Sequence, residues 1–395
     1  MRGEAEHSQA LRQAFPAVIA MLVCVHASMA ATRVAASLLV LHRGYPEWVV
    51  GALLSLFAVA PIALSLWAGR LADRHGMHKP LGVGVLLGTG GAAVAVVSQH
   101  PVALAIAALA TGGAIAVAAV GVQREAGLMA RDPSDLKRVF SWVALGPALS
   151  NALAPVAVGL LIDHVGFRAG FVFAAVLPLL AWWLAMRVPR SVPAAAKEPA
   201  SGTVGRGALA LLRLPALRWL ILVNLALSSC WDAHSFAVPV IGHGRDMSAS
   251  AIGLVLGSFA AAATVVRLLI GRFADRLDER VALRSAMALA TATCLVYAYL
   301  PGPMGMMLGS AALGLALGSV QPMILAMLHR VTPSDRHGEA LGVRMLATNA
   351  ATIVMPLGFG LLAAATVPWA PMWLMAGLVL LAQIPASRIQ ARPGH

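Results

Sequence analysis

The chain has 395 residues, of which 59% are hydrophobic and only 11% are charged. A soluble globular domain carries about 25% charged residues, so the composition excludes a soluble fold and predicts a protein embedded in a lipid bilayer. The formal net charge is +13, which raises the alternative of a nucleic-acid partner. The distribution of the basic residues along the chain decides between these two interpretations.

Apolar runs of about 20 residues, the length that crosses a bilayer, divide the chain into twelve predicted spans. Six precede a polar break and six follow it: 16–41, 48–69, 80–98, 101–122, 139–162, 169–188, 216–241, 249–270, 281–300, 303–328, 341–365 and 369–386. If both termini are cytoplasmic, 23 of the 29 Lys and Arg residues fall in cytoplasmic segments, as the positive-inside rule requires. The basic residues therefore set the orientation and indicate no nucleic-acid partner.

The first span has an alternative interpretation as a cleavable signal peptide, because small residues at 27–31 resemble a cleavage site. Its apolar run is too long for the core of a signal peptide. Its removal would also leave eleven spans instead of two equal sets of six. We therefore expect the first span to remain in the membrane.

A charged segment follows the second predicted span, and we expect it to form a loop. It contains Gly69, Asp73, Arg74 and Gly76, and a copy with Gly271, Asp275 and Arg276 follows 202 residues later. An acid between arginines at helix ends pairs with basic groups and helix termini, and Arg124 is the partner we expect for Asp73. The alternative is a loop that only carries positive charge, but long-period repetition favours a cytoplasmic latch between helices.

The repeat extends beyond the latch. At the same offset Gly51 aligns with Gly253 and Phe57 with Phe259, and Pro155 aligns with Pro356 at an offset of 201. We therefore predict two parallel six-span halves, 1–188 and 216–395, joined by a cytoplasmic linker at 189–215 that is rich in Pro, Gly and Ser. The chain has no phosphate-binding loop and no cluster of metal ligands, so we expect neither a cofactor nor a metal.

The segment Gly69-x-Leu71-x-Asp73-Arg74-x-Gly76-x-x-Lys79 and its weaker copy, set in twelve spans, resemble the major facilitator superfamily. The resemblance covers essentially the whole chain. It implies a fold of two six-helix halves related by a pseudo-two-fold axis, and transport by alternating access. It also implies a small-molecule substrate and no enzymatic activity.

Span 5 is similar to that of drug/proton antiporters in this superfamily. Small residues and a proline occur at the spacing of the antiporter signature, at Ser141, Ser150, Ala154, Pro155 and Gly159. Close helix packing explains the same residues, and that alternative stays open. Span 4 departs from the antiporter pattern, because no arginine precedes Gly112 and Gly113.

Ionisable side chains inside a span are costly and mark functional sites. Asp232 is the carboxylate that lies deepest in a predicted span, Arg33 is a strong base at comparable depth, and His26 and His234 are titratable near physiological pH. Burial favours neutral Asp232 whereas Arg33 favours the ionised form, so pairing and protonation are alternatives. We predict proton coupling through these four residues. A static ion pair that fixes helix packing is the alternative.

The expected substrate cavity contains the remaining polar side chains of the spans together with one aromatic ring: Arg33, Trp231, Asp232, Asn224, Gln123, Gln321, Arg344 and Asn349. Arg267 is expected to reach the membrane surface instead.

Export of a small organic compound with proton exchange, by a monomer in the bacterial inner membrane, is the function we expect. Proton-coupled uptake of an organic anion is the alternative, favoured by Arg33 and Arg344. An intramembrane enzyme would have to use His26, His234 and Asp232, which lack a metal-ligand spacing within one helix.

Overall fold

The computed structural model describes residues 13–129, 139–140, 142–189, 211–273, 278–332 and 336–388. This part of the chain contains twelve long helices and no β-strand, which confirms the all-α prediction. The helices are α1 (Phe15–His42), α2 (Glu47–His75), α3 (His78–Val97), α4 (Pro101–Leu128), α5 (Leu145–His164), α6 (Phe167–Ala185), α7 (Pro215–His243), α8 (Ala249–Phe273), α9 (Glu279–Val296), α10 (Gly302–Val331), α11 (His337–Ala365) and α12 (Ala370–Arg388).

Eleven helices of the described residues are long and apolar enough to span a membrane. Helix α7 is not in that set, although its 29 residues give a length of about 44 Å. Its hydropathy is lowered by Asn224, Asp232 and His234. Among the described residues two carboxylates are buried, Asp232 on α7 and Glu125 on α4.

The predicted loop at the first latch is largely helical, so the sequence prediction was wrong on this point. Helix α2 continues to His75, and only Gly76 and Met77 separate it from α3. The N–H of Gly76 still donates to the carbonyl of Ala72 at 2.9 Å, and its φ of +68° lies in the left-handed region. Bilayer thickness limits the apolar part of a helix, whereas charged residues such as Asp73 continue it into water. Glycine then ends the helix because it adopts a left-handed φ without strain.

The described residues group into two compact units. The first comprises those within Met1–Tyr45, Leu53–Glu198 and Ser248–Gly257, and the second comprises those within Pro46–Ala52, Pro199–Met247 and Ser258–His395. The first turns of α8 thus pack in the first unit, and the first turns of α2 pack in the second. Each unit has its own apolar core.

A glycine on one helix meets a phenylalanine carbonyl on another in both units. A Cβ added to Gly112 of α4 would lie 2.3 Å from the carbonyl oxygen of Phe57 on α2. A Cβ added to Gly314 of α10 would lie 2.2 Å from the carbonyl oxygen of Phe259 on α8. Both members of the pair recur at an offset of 202 residues. In each half of the repeat, a glycine opposite a phenylalanine carbonyl therefore allows the backbones of two helices to come into contact.

A second crossing also occurs once in each unit. In the first unit, a Cβ on Gly253 would lie 2.2 Å from the carbonyl oxygen of Pro155. In the second unit, a Cβ on Gly51 would lie 2.2 Å from the carbonyl oxygen of Pro356. In both crossings the missing side chain of glycine allows the backbone of the proline-containing helix to approach. The residues that align across the repeat are thus the ones that make these contacts.

We expect Gly314→Ala to destabilise the protein by about 1–3 kcal/mol, because the added methyl overlaps a backbone carbonyl that cannot rotate away. The measurement is the unfolding temperature in detergent. Gly377→Ala on α12 is the matched control, since a Cβ there meets nothing within 4 Å. Equal unfolding temperatures for the two variants would contradict the close crossing.

Candidate functional site

An ion pair at the predicted latch in the first unit joins the last turns of α2 to the end of α4. Arg124 Nε lies 3.5 Å from Asp73 Oδ1, the pair expected from the sequence, with the two side chains 17% and 65% exposed. Because the carboxylate of this pair is exposed to solvent, the pair contributes about 1 kcal/mol or less to stability. A Cβ on Gly69 meets nothing within 4 Å, so close packing does not require glycine there.

The second copy of the latch lies mostly outside the described residues. Gly271 is in the last turn of α8, whereas Asp275 and Arg276 fall in the gap between 273 and 278. Asp278 begins the next helix and accepts backbone hydrogen bonds from Val281 and Arg280, which lower the pKa of its carboxyl group.

Helix α1 places two predicted site residues inside the first unit. Arg33 is half-buried. His26 is also partly buried, and its Nε2 has no hydrogen-bond partner within the described residues. A buried ring nitrogen without a partner is costly. His26 is thus a group whose hydrogen bonding is incomplete in this conformation.

Span 5 packs closely through the residues that suggested an antiporter signature. The Ser150 hydroxyl lies 2.8 Å from the carbonyl oxygen of Val23 on α1 and 2.8 Å from that of Gly146 on its own helix. A Cβ on Gly159 would lie 2.4 Å from the carbonyl oxygen of Ala249. Small residues here bring α5 against both α1 and the first turn of α8. Ser141 lies outside the described residues.

Asp232 lies on α7 in the second unit and is only 8% exposed. Two residues further on, His234 Nε2 lies 2.8 Å from the Ser310 hydroxyl of α10. Ser310 in turn lies 2.6 Å from the hydroxyl of Tyr297, in a 3₁₀ turn after α9. Three polar side chains from three segments of the chain therefore form one buried hydrogen-bonded series.

Aromatic rings surround this series in the second unit. The His234 ring stacks on Phe259 with centroids 4.3 Å apart, and Trp231 meets the edge of the same ring at 4.5 Å. The Arg267 guanidinium lies 5.8 Å from the Trp231 ring, and its Nε donates to the carbonyl of Gly318 at 3.3 Å. Arg267 therefore bonds to α10 within the protein, a contact that the sequence analysis did not predict.

A second polar group in this unit joins α7 to α11. Asn224 donates from Nδ2 to the Thr348 hydroxyl at 2.9 Å, and Thr348 donates to the backbone carbonyl of Arg344 at 2.9 Å. Arg344 reaches Asn224 Oδ1 only at 3.5 Å, and its buried Nε has no hydrogen-bond partner within the described residues. Arg344 is half-buried, so a guanidinium lies inside the span with incomplete hydrogen bonding.

The other predicted cavity residues have exposed side chains. These are Gln123 on α4, Gln321 on α10 and Asn349 on α11. The three cysteines, Cys24, Cys230 and Cys294, are free, and Cys230 and Cys294 have their sulfurs 3.5 Å apart. Within the described residues no three His, Cys, Asp or Glu side chains come together as metal ligands.

Sequence reasoning missed the roles of five residues in these contacts: Phe259, Tyr297, Ser310, Thr348 and Asp163. Asp163 ends α5, and its two carboxylate oxygens accept from the backbone N–H groups of Ala249 and Ser250 at 2.9 Å each. This carboxylate thus caps the N-terminus of α8, where a negative charge is favourable. An acid at the end of one span and Ser248 before the next were the available sequence signals.

Long apolar helices with ionisable side chains buried between them are characteristic of membrane transport proteins. The model of the Major Facilitator Superfamily matches residues 18–309 and 235–392. The chain therefore belongs to this superfamily, as its sequence motifs indicated. Membership identifies a multi-pass membrane transporter of small molecules and not an enzyme.

One relative is the class G tetracycline resistance protein of Vibrio anguillarum. It is 28% identical over 372 residues, which cover 86% of this chain and 87% of the relative. The match includes both halves of the chain. At this identity the match shows that the two proteins are related within the superfamily.

Solved structures of transporters share the fold. The nucleoside transporter NupG matches with a TM-score of 0.76 at 14% identity, covering 96% of this chain and 98% of that chain. The peptide transporter POT in complex with sulfate matches with a TM-score of 0.73 at 16% identity, covering 95% of each chain. The major facilitator fold predicted from the sequence is thereby confirmed.

We expect Asp163→Asn to lower stability by about 1 kcal/mol, since the amide accepts with one oxygen and carries no charge toward the helix dipole. Unfolding in detergent measures the loss. Asp246→Asn is the control: Asp246 is an exposed acid on the same side of the predicted membrane, and its φ of +53° suits asparagine. A control variant as destabilised as Asp163→Asn would refute the capping role.

Proposed function

We propose that this transporter exports a small organic compound from the bacterial cytoplasm in exchange for protons. The observation that carries the proposal is Asp232, a carboxylate only 8% exposed in the interior of a predicted span. Neutralising such a carboxylate by protonation removes most of the cost of its burial. The tetracycline resistance relative supports the direction of transport and organic character of the substrate.

His234 supports proton coupling as a second titratable group on the same helix. It lies two residues beyond Asp232, and Ser310 and Tyr297 extend its hydrogen bonding to α10 and toward α9. Imidazole and hydroxyl groups each donate and accept, so protonation at His234 changes the bonding of its neighbours. Arg33 and His26 on α1 are the proposed counterparts in the first unit.

The proposed working cycle is alternating access by two halves, 1–188 and 216–395, joined by the linker at 189–215. Breaking and re-forming the Asp73–Arg124 latch is proposed to accompany the change of access. An ion pair whose carboxylate is exposed to solvent has a small net energy, which suits a contact that must open in every cycle. We further propose that the protein works as a monomer in the inner membrane, with both termini cytoplasmic.

The experiment uses the full chain in proteoliposomes with an imposed proton gradient and tetracycline as the first compound. We expect gradient-driven flux with the unmodified protein. We expect Asp232→Asn to abolish that flux and to keep exchange of labelled for unlabelled compound, because asparagine resembles the protonated acid. Asp232→Glu is expected to restore part of the coupled flux.

Asp246→Asn is the matched control, since it removes an exposed acid that the proposal does not use. The proposal fails if Asp232→Asn supports the same gradient-driven flux as the unmodified protein. It also fails if an imposed gradient drives no compound in a panel of organic cations, zwitterions and anions.

Uptake of an organic anion together with protons is the second candidate. Arg344, with its incomplete hydrogen bonding inside a span, is the observation that favours it. The direction of flux distinguishes the two. An inward proton gradient drives accumulation of the compound by a symporter and its depletion by an antiporter.

A further inference from the structure

Two rows of polar side chains follow α7 and α11 in the second unit. On α7 they are Asn224, Ser228 and Asp232, and on α11 they are Arg344, Thr348 and Thr352. Residues four apart lie on the same face of a helix, so each row forms one stripe. The hydrogen bond from Asn224 to Thr348 joins the two stripes. We refer to these six residues as the polar seam.

The seam has a base at one end and an acid at the other. Arg344 contacts Asn224 at its first position, whereas Asp232 lies eight residues further along α7. Eight residues of α-helix span about 12 Å. The charges of the seam are therefore separated by a distance comparable to the length of a small organic molecule.

Arg344 has hydrogen-bonding capacity that the described residues do not use. Within that part of the chain no carboxylate oxygen lies within 4 Å of Arg344, its contact with Asn224 is at the 3.5 Å limit, and its buried Nε has no partner. A half-buried guanidinium without a counter-charge is costly, and it pairs best with a planar anion such as a carboxylate.

Asn224 is held in the orientation that presents its oxygen to Arg344. Its Nδ2 donates to Thr348, whose hydroxyl donates to the backbone carbonyl of Arg344, so amide and hydroxyl are fixed by one another. An amide oriented in this way helps to position the guanidinium group but does not neutralise its positive charge. The site is thus preorganised, and the described residues supply it with no negative partner.

Further along the seam, the hydroxyl groups of Ser228 and Thr352 provide hydrogen-bond acceptors instead of donors. Ser228 donates its only hydroxyl proton to the carbonyl of Leu225, and Thr352 donates its proton to the carbonyl of Thr348. Their oxygens retain lone pairs and therefore accept further hydrogen bonds. The carboxyl group of Asp232 at the far end disfavours a second negative group on the ligand.

We propose that the polar seam is a binding site for an organic anion that carries its negative charge at one end and hydrogen-bond donors along its body. Arg344 takes the anionic group, and Ser228, Thr352 and Asp232 accept from the donors. The inference names the substrate class of the transporter proposed above and rests on that function. It makes no use of proton coupling.

The test is calorimetric titration of the purified full chain with two probes of the same shape, 4-hydroxycinnamate and its uncharged primary amide. Each has a phenolic donor at the end remote from the carboxylate or amide. We expect the carboxylate to bind at least about tenfold more tightly than the amide, the factor that a charge-assisted pair provides. Arg344→Gln is expected to abolish this preference and Arg344→Lys to keep part of it.

Arg267→Gln is the matched control, because it removes another half-buried guanidinium of the second unit, whose Nε already bonds to Gly318. It is expected to leave the preference unchanged. Thr348→Val provides a second variant that keeps Arg344 and only releases Asn224. We expect it to weaken carboxylate binding several-fold with little effect on binding of the amide.

Equal binding of the two probes, no measurable binding of either, or a preference that survives Arg344→Gln overturns the proposal. An unchanged Asp232→Asn flux together with an Arg344-dependent preference would remove proton coupling and leave the anion site. Coupled flux with no preference for the carboxylate would leave proton coupling and remove the anion site.

Discussion

The contact of a glycine Cα with a carbonyl of a neighbouring helix determines how closely the helices of each unit approach. Apolar side chains provide little drive for association in lipid, because the lipid tails are equally apolar. Where two backbones approach closely, dispersion contacts and hydrogen bonds between the helices stabilise their association instead. The Gly112–Phe57 and Gly314–Phe259 crossings show this device at equivalent places in the two units. The hydrogen bonds that join α7 to α10 and α11 through His234 and Asn224 require helices held at such separations.

Close packing also explains why polar side chains can be buried between these helices. A hydroxyl or amide buried between helices finds partners only if a second helix lies within hydrogen-bonding distance. His234, Ser310 and Tyr297 form hydrogen bonds with one another in this way, as do Asn224 and Thr348. Arg344 differs because its described neighbours offer a single distant oxygen. Stability alone does not explain such a group, and we propose ligand binding as its role.

The sequence predicted the architecture well because hydropathy and repetition are both properties of the linear chain. Apolar runs located the twelve helices to within a few residues at most ends. The 202-residue offset aligned Gly51 with Gly253, the two glycines that make equivalent helix crossings. The prediction failed at Gly69–His75, since hydropathy locates the edge of the membrane and not the end of a helix. It also did not identify the partner of Arg267, Gly318, which lies on another helix.

For the candidate site, the sequence located residues but not their partners. A charge inside a span identifies Asp232 or Arg344 directly, because few other causes place one there. Ser310, Tyr297 and Thr348 could not be distinguished from the many hydroxyls that bond to their own helix. Their roles depend on which helices are neighbours, and tertiary packing decides that.

The Ser310 hydroxyl contacts both His234 and Tyr297, and it has only one proton to share between them. When the facing nitrogen of His234 lacks hydrogen, Ser310 donates toward the ring and accepts from the phenol. When that nitrogen is protonated, Ser310 accepts from the ring and turns its own proton toward Tyr297. A proton arriving at this nitrogen would therefore reverse the hydrogen bond between His234 and Ser310 and leave the Ser310 proton available to Tyr297, beside α9.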